Sequence, residues 1–201
     1  MPDFREQLRW SLQGRVGLVG VGNPDQGDDG FGVRLAEALS QPAACRPRGA
    51  GHPEPAAWPN DANTAGGFRF SRCGSASVII AGNAPERLLG RLSDGSLDTV
   101  LFLDAAEFGA VPGSVVLLNS QGITARFPQV STHRVSLGVL AKWVEASGAA
   151  KAWLLGVQPA SLKLGAGLTP PVQATFEILC QLLGELLAHD PRRPAETCLT
   201  V

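Results

Sequence analysis

The sequence predicts an α/β sandwich, a mostly parallel sheet layered between helices. Three observations lead there. Short aliphatic runs recur along the chain without polar alternation, the pattern of strands covered on both faces. Stretches whose apolar residues repeat at helical spacing lie between them. The two kinds alternate, and strand–helix alternation builds a parallel sheet because each crossover helix carries the chain back to the same end.

Val16-Gly-Leu-Val-Gly-Val21 is the first strand, closed by turn residues, and Val33, Ala36 and Leu39 share one face of the helix that follows. Residues 41–75 break the pattern: they are dense in Pro, Gly and Ala and lack periodicity, so they read as a partly disordered surface insertion. Ala76-Ser-Val-Ile-Ile-Ala81 and Thr99-Val-Leu-Phe-Leu103 are the next strands. Ser114-Val-Val-Leu-Leu-Asn119 follows so soon after Pro112-Gly113 that no helical crossover fits, which makes it antiparallel or an edge strand. Val135, Val139, Leu140, Trp143 and Val144 mark a helix, with Trp143 and Trp153 expected in the core. Ala152-Trp-Leu-Leu-Gly-Val157 is the last strand. Thr169 as N-cap and Pro170 at the first helical position then open a helix whose stripe is Val172, Phe176, Leu179, Leu183 and Leu186. The tail from Asp190 reads as flexible.

The 201 residues suit one domain at about 150 residues per domain, and a chain of this size builds a core without disulfide or metal. The apolar share of 44% excludes wholesale disorder, and the charged share of 17% is too low for a coiled coil. With a formal net charge of -1 the chain has no bulk field to draw nucleic acid or an anionic membrane. No apolar run is long enough for a membrane span, and the N-terminal residues lack the apolar stretch of a signal peptide, so a cytoplasmic monomer is expected. Cys45, Cys73, Cys180 and Cys198 are scattered and read as free thiols.

The loop after the first strand carries the chemistry. It reads Gly20-Val-Gly22-Asn23-Pro24-Asp25-Gln26-Gly27-Asp28-Asp29-Gly30. A dinucleotide fingerprint needs glycine where Asp25 stands. Gly22 and Gly27 have the spacing of a phosphate loop, but Asp28 occupies the lysine position and Asp29 adds a second negative charge, which repels phosphate. Helix capping accounts for one of these carboxylates better than for two. Asp104 ends a central strand, and His133 begins a helix in Ser131-Thr132-His133. In a parallel sheet, residues just after the strands gather on the carboxyl edge, where such folds bind ligands. Two carboxylates and an imidazole there suit a divalent transition metal with open positions. Cys45, His52 and Cys73 stand at no zinc spacing. Cys180 reads as a small buried hydrophobe, and a nucleophile pairing of Ser131 or Thr132 with His133 needs side-chain geometry to support it.

Gly20-Val-Gly-Asn23 with Gly27-Asp-Asp-Gly30-Phe-Gly32, Gly82-Asn-Ala-Pro-Glu86, Leu103-Asp-Ala-Ala106, Ser131-Thr-His133, Gly156-Val-Gln-Pro159 and Gly167-Leu-Thr-Pro170 occur in that order. In these stretches the sequence resembles the [NiFe] hydrogenase maturation proteases, nearest the branch serving formate-hydrogenlyase-type hydrogenases. The resemblance implies a three-layer sandwich with a twisted, mostly parallel five-stranded sheet and helices on both faces. It implies an endopeptidase that removes the C-terminal extension of a hydrogenase large-subunit precursor after nickel insertion, the nickel being supplied by that substrate. The acidic residue of the first loop, the Asp after a central strand and the later His correspond to Asp29, Asp104 and His133. Asp29 and Asp104 are then the candidate catalytic residues, and all three the candidate metal ligands. Metal-assisted hydrolysis and an aspartic dyad of Asp29 with Asp104 both stay open. A non-cleaving nickel-recognition or chaperone-like protein is the alternative function. The 41–75 insertion and Asp25 depart from the family pattern.

Overall fold

The computed structural model describes residues 3–41, 68–74, 76–127, 136–148 and 150–188. Six strands form one sheet: β1 (Val16–Val21), β2 (Arg69–Cys73), β3 (Ala76–Gly82), β4 (Thr99–Ala105), β5 (Val115–Asn119) and β6 (Lys151–Val157). Their order is β2-β3-β1-β4-β6-β5. β3, β1, β4 and β6 run parallel, while β2 and β5 pair antiparallel at the two edges. β5 lies where the short connection from Pro112-Gly113 requires it.

The sheet has six strands where five were expected. The extra one, β2, falls inside the 41–75 stretch that the sequence predicts to be an insertion. Arg69-Phe-Ser-Arg-Cys73 is half-polar because it is an edge strand, and only Cys73 is buried in it. Arginines cover the aromatics here: Arg91 lies over Phe70 of the strand and Arg87 over Phe68 just before it. The rest of the predicted insertion, residues 42–67 and 75, lies outside the described residues, as does the tail from residue 189.

The helices are α1 (Phe4–Trp10), α2 (Phe31–Leu39), α3 (Leu89–Leu92), α4 (Ser120–Arg126), α5 (Leu137–Ala146) and α6 (Pro170–Ala188). Three are capped as their sequences suggest: Asp3, Asn119 and Ser136 each accept a backbone N–H of the first turn. Each central strand is buried on both faces by alternation. Leu101 and Leu103 of β4 pack with Leu8 of α1, Phe31, Leu35 and Leu39 of α2, and Leu179 and Leu183 of α6. Val100 and Phe102 pack on the opposite face with Leu92 of α3, Ile123 of α4, and Leu140 and Val144 of α5. This is the expected three-layer sandwich. No helix among the described residues is long and apolar enough to cross a membrane.

Two side-chain expectations fail. Trp153 packs against the core, but Trp143 is 58% exposed beside exposed Val139. α5 buries Leu137, Gly138, Leu140, Ala141 and Val144, so its apolar residues cover more of the helix than the sheet can bury. Cys73 is disulfide-bonded. Isolated cysteines give no sign in sequence of what lies beside them in space, so the free-thiol reading could not detect the bond. Cys180 is free and half-buried in α6, as expected.

Candidate active site

The acidic loop is held against the sheet by glycines. α2 packs so closely on β1 and β4 that a Cβ on Gly32 would overlap the carbonyl oxygen of Leu103, and one on Gly20 would lie 2.6 Å from the Ala36 methyl. This close approach draws the turn Gly27–Gly30 down onto the end of β4. Gly22, with φ 118°, makes the knuckle between strand and loop, and its N–H donates to the Gly82 carbonyl at 3.1 Å. A Cβ there would overlap the carbonyl oxygen of Asp29 and lie 3.7 Å from Oδ1 of Asp104. The two carboxylate-bearing residues therefore meet at one glycine, on the carboxyl edge of the central strands.

Both are buried, Asp29 at 3% and Asp104 at 5% exposure. Oδ2 of Asp29 accepts the Asn23 N–H at 2.7 Å, which locks the carboxylate to its own loop. At Gly22 the neighbours are the main-chain carbonyl of Asp29 and the carboxylate of Asp104, so the two acidic residues adjoin through that glycine. Two carboxylates on one strand edge are candidates for proton sharing or for cation binding. Among the described residues no group of three or more His, Cys, Asp or Glu side chains is gathered as a metal site would be. His133, the third candidate, lies outside the described residues, as do Ser131, Thr132, Cys45 and His52. α5 begins at Leu137 under its Ser136 cap, later than the start expected at Ser131–His133.

Asp28 has a different task from the capping expected of this pair. The turn Gly27–Gly30 has no side-chain cap. Asp28 is fully buried, and its Oδ1 accepts the Thr169 N–H at 2.7 Å. Its Oδ2 accepts Ala160 N–H at 2.8 Å, Ser161 N–H at 3.0 Å and the Thr169 hydroxyl at 2.9 Å. Thr169 thus precedes α6 as expected, its carbonyl accepting the Gln173 N–H at 2.8 Å, while its hydroxyl donates to Asp28. Gln158 does similar work beside Asp104: its Oε1 accepts Phe108 N–H at 2.9 Å and Ala110 N–H at 3.2 Å, and its Nε2 donates to Glu107 at 2.7 Å. Sequence reasoning met Gln158 only as part of a motif, and weighed Asp28 and Thr169 only as helix caps. Their signal was position: each sits at the mouth of a loop on the same sheet edge. A separate depression lined by Asp98, Asn119, Glu145 and Lys151 lies at the opposite, amino end of β4 and β6.

Known proteins share this arrangement of strands and sequence. The family model HycI, hydrogenase maturation protease, matches residues 68–185. The chain is 27% identical over 167 residues to the hydrogenase 2 maturation protease of Escherichia coli K12, covering 81% of this chain and 84% of that protein. It is 26% identical to the hydrogenase 3 maturation protease of the same organism, covering 83% and 86%. Among solved structures, the hydrogenase maturating endopeptidase HybD from E. coli superposes with a TM-score of 0.61 at 26% identity, over 85% of this chain and 90% of that one. The maturation protease HycI from Thermococcus kodakarensis KOD1 has the same fold, with a TM-score of 0.66 at 24% identity over 90% and 98% of the two chains. With more than half its length matched by the family model, the chain belongs to the hydrogenase maturation protease family.

Proposed function

We propose that this chain is the endopeptidase that removes the C-terminal extension of a [NiFe] hydrogenase large-subunit precursor once nickel has been inserted. The observation that supports the reading is that two buried acidic residues, Asp29 through its main-chain carbonyl and Asp104 through Oδ1, adjoin Gly22 on the carboxyl edge of a maturation-protease fold.

Peptide hydrolysis needs a water activated by a base, a polarised carbonyl and a proton for the leaving amine. One carboxylate takes the proton from water as oxygen adds to the carbonyl carbon. The C–N bond then breaks, and the amine leaves with that proton. The other carboxylate serves as an oxygen ligand toward the nickel carried by the substrate, with His133 as the nitrogen ligand. Asp29, Asp104 and His133 offer oxygen and nitrogen but no thiolate, so the free enzyme binds nickel weakly and the precursor supplies the remaining ligands. Cleavage then checks that the metal has been installed.

The test offers the purified protein two precursor preparations, nickel-loaded and nickel-free. Cleavage of the loaded form alone is expected. Equal cleavage of both would replace this mechanism with an Asp29–Asp104 dyad sharing one proton. A stable complex with no cleavage of either would make the protein a recognition factor and not a protease.

A further inference from the structure

Two motifs take no part in that chemistry: Gly156-Val-Gln-Pro159 and Gly167-Leu-Thr-Pro170. Between them run residues 158–169, which leave the sheet at Val157. That residue pairs with Ala105, and its neighbour Gly156 pairs with Asp104, so the loop rises beside one candidate carboxylate. It then folds over the turn that carries the other. Besides the four bonds to the Asp28 carboxylate, the Asp28 N–H donates to Ser161 at 3.0 Å, and the Gly165 N–H donates to Asp25 at 2.7 Å. The loop passes so near Gly27 that a Cβ there would lie 2.6 Å from the Ser161 carbonyl oxygen. Residues 106–114, which leave β4 directly after Asp104, are pinned alongside by Gln158, whose own carbonyl accepts the Gly113 N–H at 2.9 Å.

This firmly bonded frame presents apolar side chains to solvent. Val111 is 76% exposed, Leu162 45% and Leu164 71%. They are three of the seven large hydrophobic side chains exposed among the described residues, and they occupy two adjoining loops at one edge. Scattered exposed hydrophobes are ordinary, whereas these three stand on two hydrogen-bonded loops that leave the strand ends next to Asp104, a placement that suits a contact surface.

Resting on the endopeptidase reading, we propose that these two loops are the docking rim for the substrate polypeptide, with Val111, Leu162 and Leu164 taking apolar residues next to the scissile bond. Placement argues for this occupant. A peptide bond brought to Asp29 and Asp104 has to cross the carboxyl edge of the sheet, and these loops are the walls raised there by β4 and β6. An extended polypeptide advances about 3.3–3.6 Å per residue, so several residues beyond the bond must rest on the rim.

The experiment measures binding and cleavage separately on the nickel-loaded large-subunit precursor. Val111→Ser, Leu162→Ser and Leu164→Ser are combined, and Ile178→Ser, on an exposed residue of α6, is the control. The triple variant is expected to raise Kd and KM about tenfold or more, with kcat within about twofold of wild type, while the control changes nothing. Unchanged Kd and KM in the triple variant would overturn the docking rim. So would an equal loss in the control, or a fall in kcat alone. A wild-type protein that binds the precursor without cutting it refutes the endopeptidase reading, and the rim is then judged on Kd. A wild-type protein that neither binds nor cuts overturns both.

Discussion

Asp28→Ala isolates the physical work of the acidic pair, because Asp28 makes no contribution to the proposed chemistry. The substitution removes the acceptor of three backbone N–H groups and one hydroxyl. The Thr169 hydroxyl turns to another acceptor, but the three N–H groups stay fixed by the loop. Each orphaned donor costs about 1–3 kcal/mol, a gross loss of about 3–9 kcal/mol. Removing a buried carboxylate returns part of its desolvation cost, which is several kcal/mol. The donors win because the loop cannot reopen fully to water, and the net loss is about 2–4 kcal/mol. For a domain of this size Tm then falls by about 5–15 °C. Asp28→Asn is expected to lose roughly half as much: its carbonyl can serve the three donors of Oδ2, leaving its amide facing the Thr169 N–H. Thr169→Val, which deletes the hydroxyl alone, costs about 1 kcal/mol. Thermal unfolding by circular dichroism reads all three. An Asp28→Ala Tm within about 2 °C of wild type would refute the clamp, and so would Thr169→Val falling below Asp28→Ala.

The remaining predictions separate chemistry from architecture. Asp29→Asn and Asp104→Asn each abolish precursor processing while the protein stays folded, since the amide oxygen at position 29 can still accept the Asn23 N–H; a double variant that trims at wild-type rate on a gel would show the site to be elsewhere. Gly22→Ala destabilises by about 2–4 kcal/mol in urea denaturation, because a methyl at φ 118° overlaps the Asp29 carbonyl; a neutral outcome would mean that the knuckle has slack. Burial pushes the Cys180 thiol above its ordinary value of 9.0. Stability from this group is intact below that value and is lost as pH rises past the raised one. Thiol labelling of native protein at mildly alkaline pH is therefore slower at Cys180 than in urea, and equal rates would contradict the burial.

Local pattern carried the sequence reading as far as local pattern reaches. The central strands are legible because burial on both faces demands unbroken aliphatic runs such as Thr99-Val-Leu-Phe-Leu103. β2 was not legible. An edge strand buries little, so Arg69-Phe-Ser-Arg-Cys73 keeps a polar composition with no aliphatic run to mark it. Trp143 misled for a related reason, since helical period shows which residues share a face but not how wide a face the neighbours can cover.

At the site, the sequence by itself determined which residue types stand at the ends of which strands. The end of a parallel strand is fixed by where its aliphatic run stops, and that placed Asp29 and Asp104 on one edge. Only the tertiary structure decided that Asp28 and Asp29, neighbours in the chain, do unlike work. Asp28 turns toward donors at residues 160–169, and Asp29 turns toward Asn23 and the knuckle at Gly22. Those donors lie 132 to 141 residues away in the chain. No short-range pattern encodes such a bond, because its partners are brought together by the sheet register and by the close packing that Gly20 and Gly32 permit.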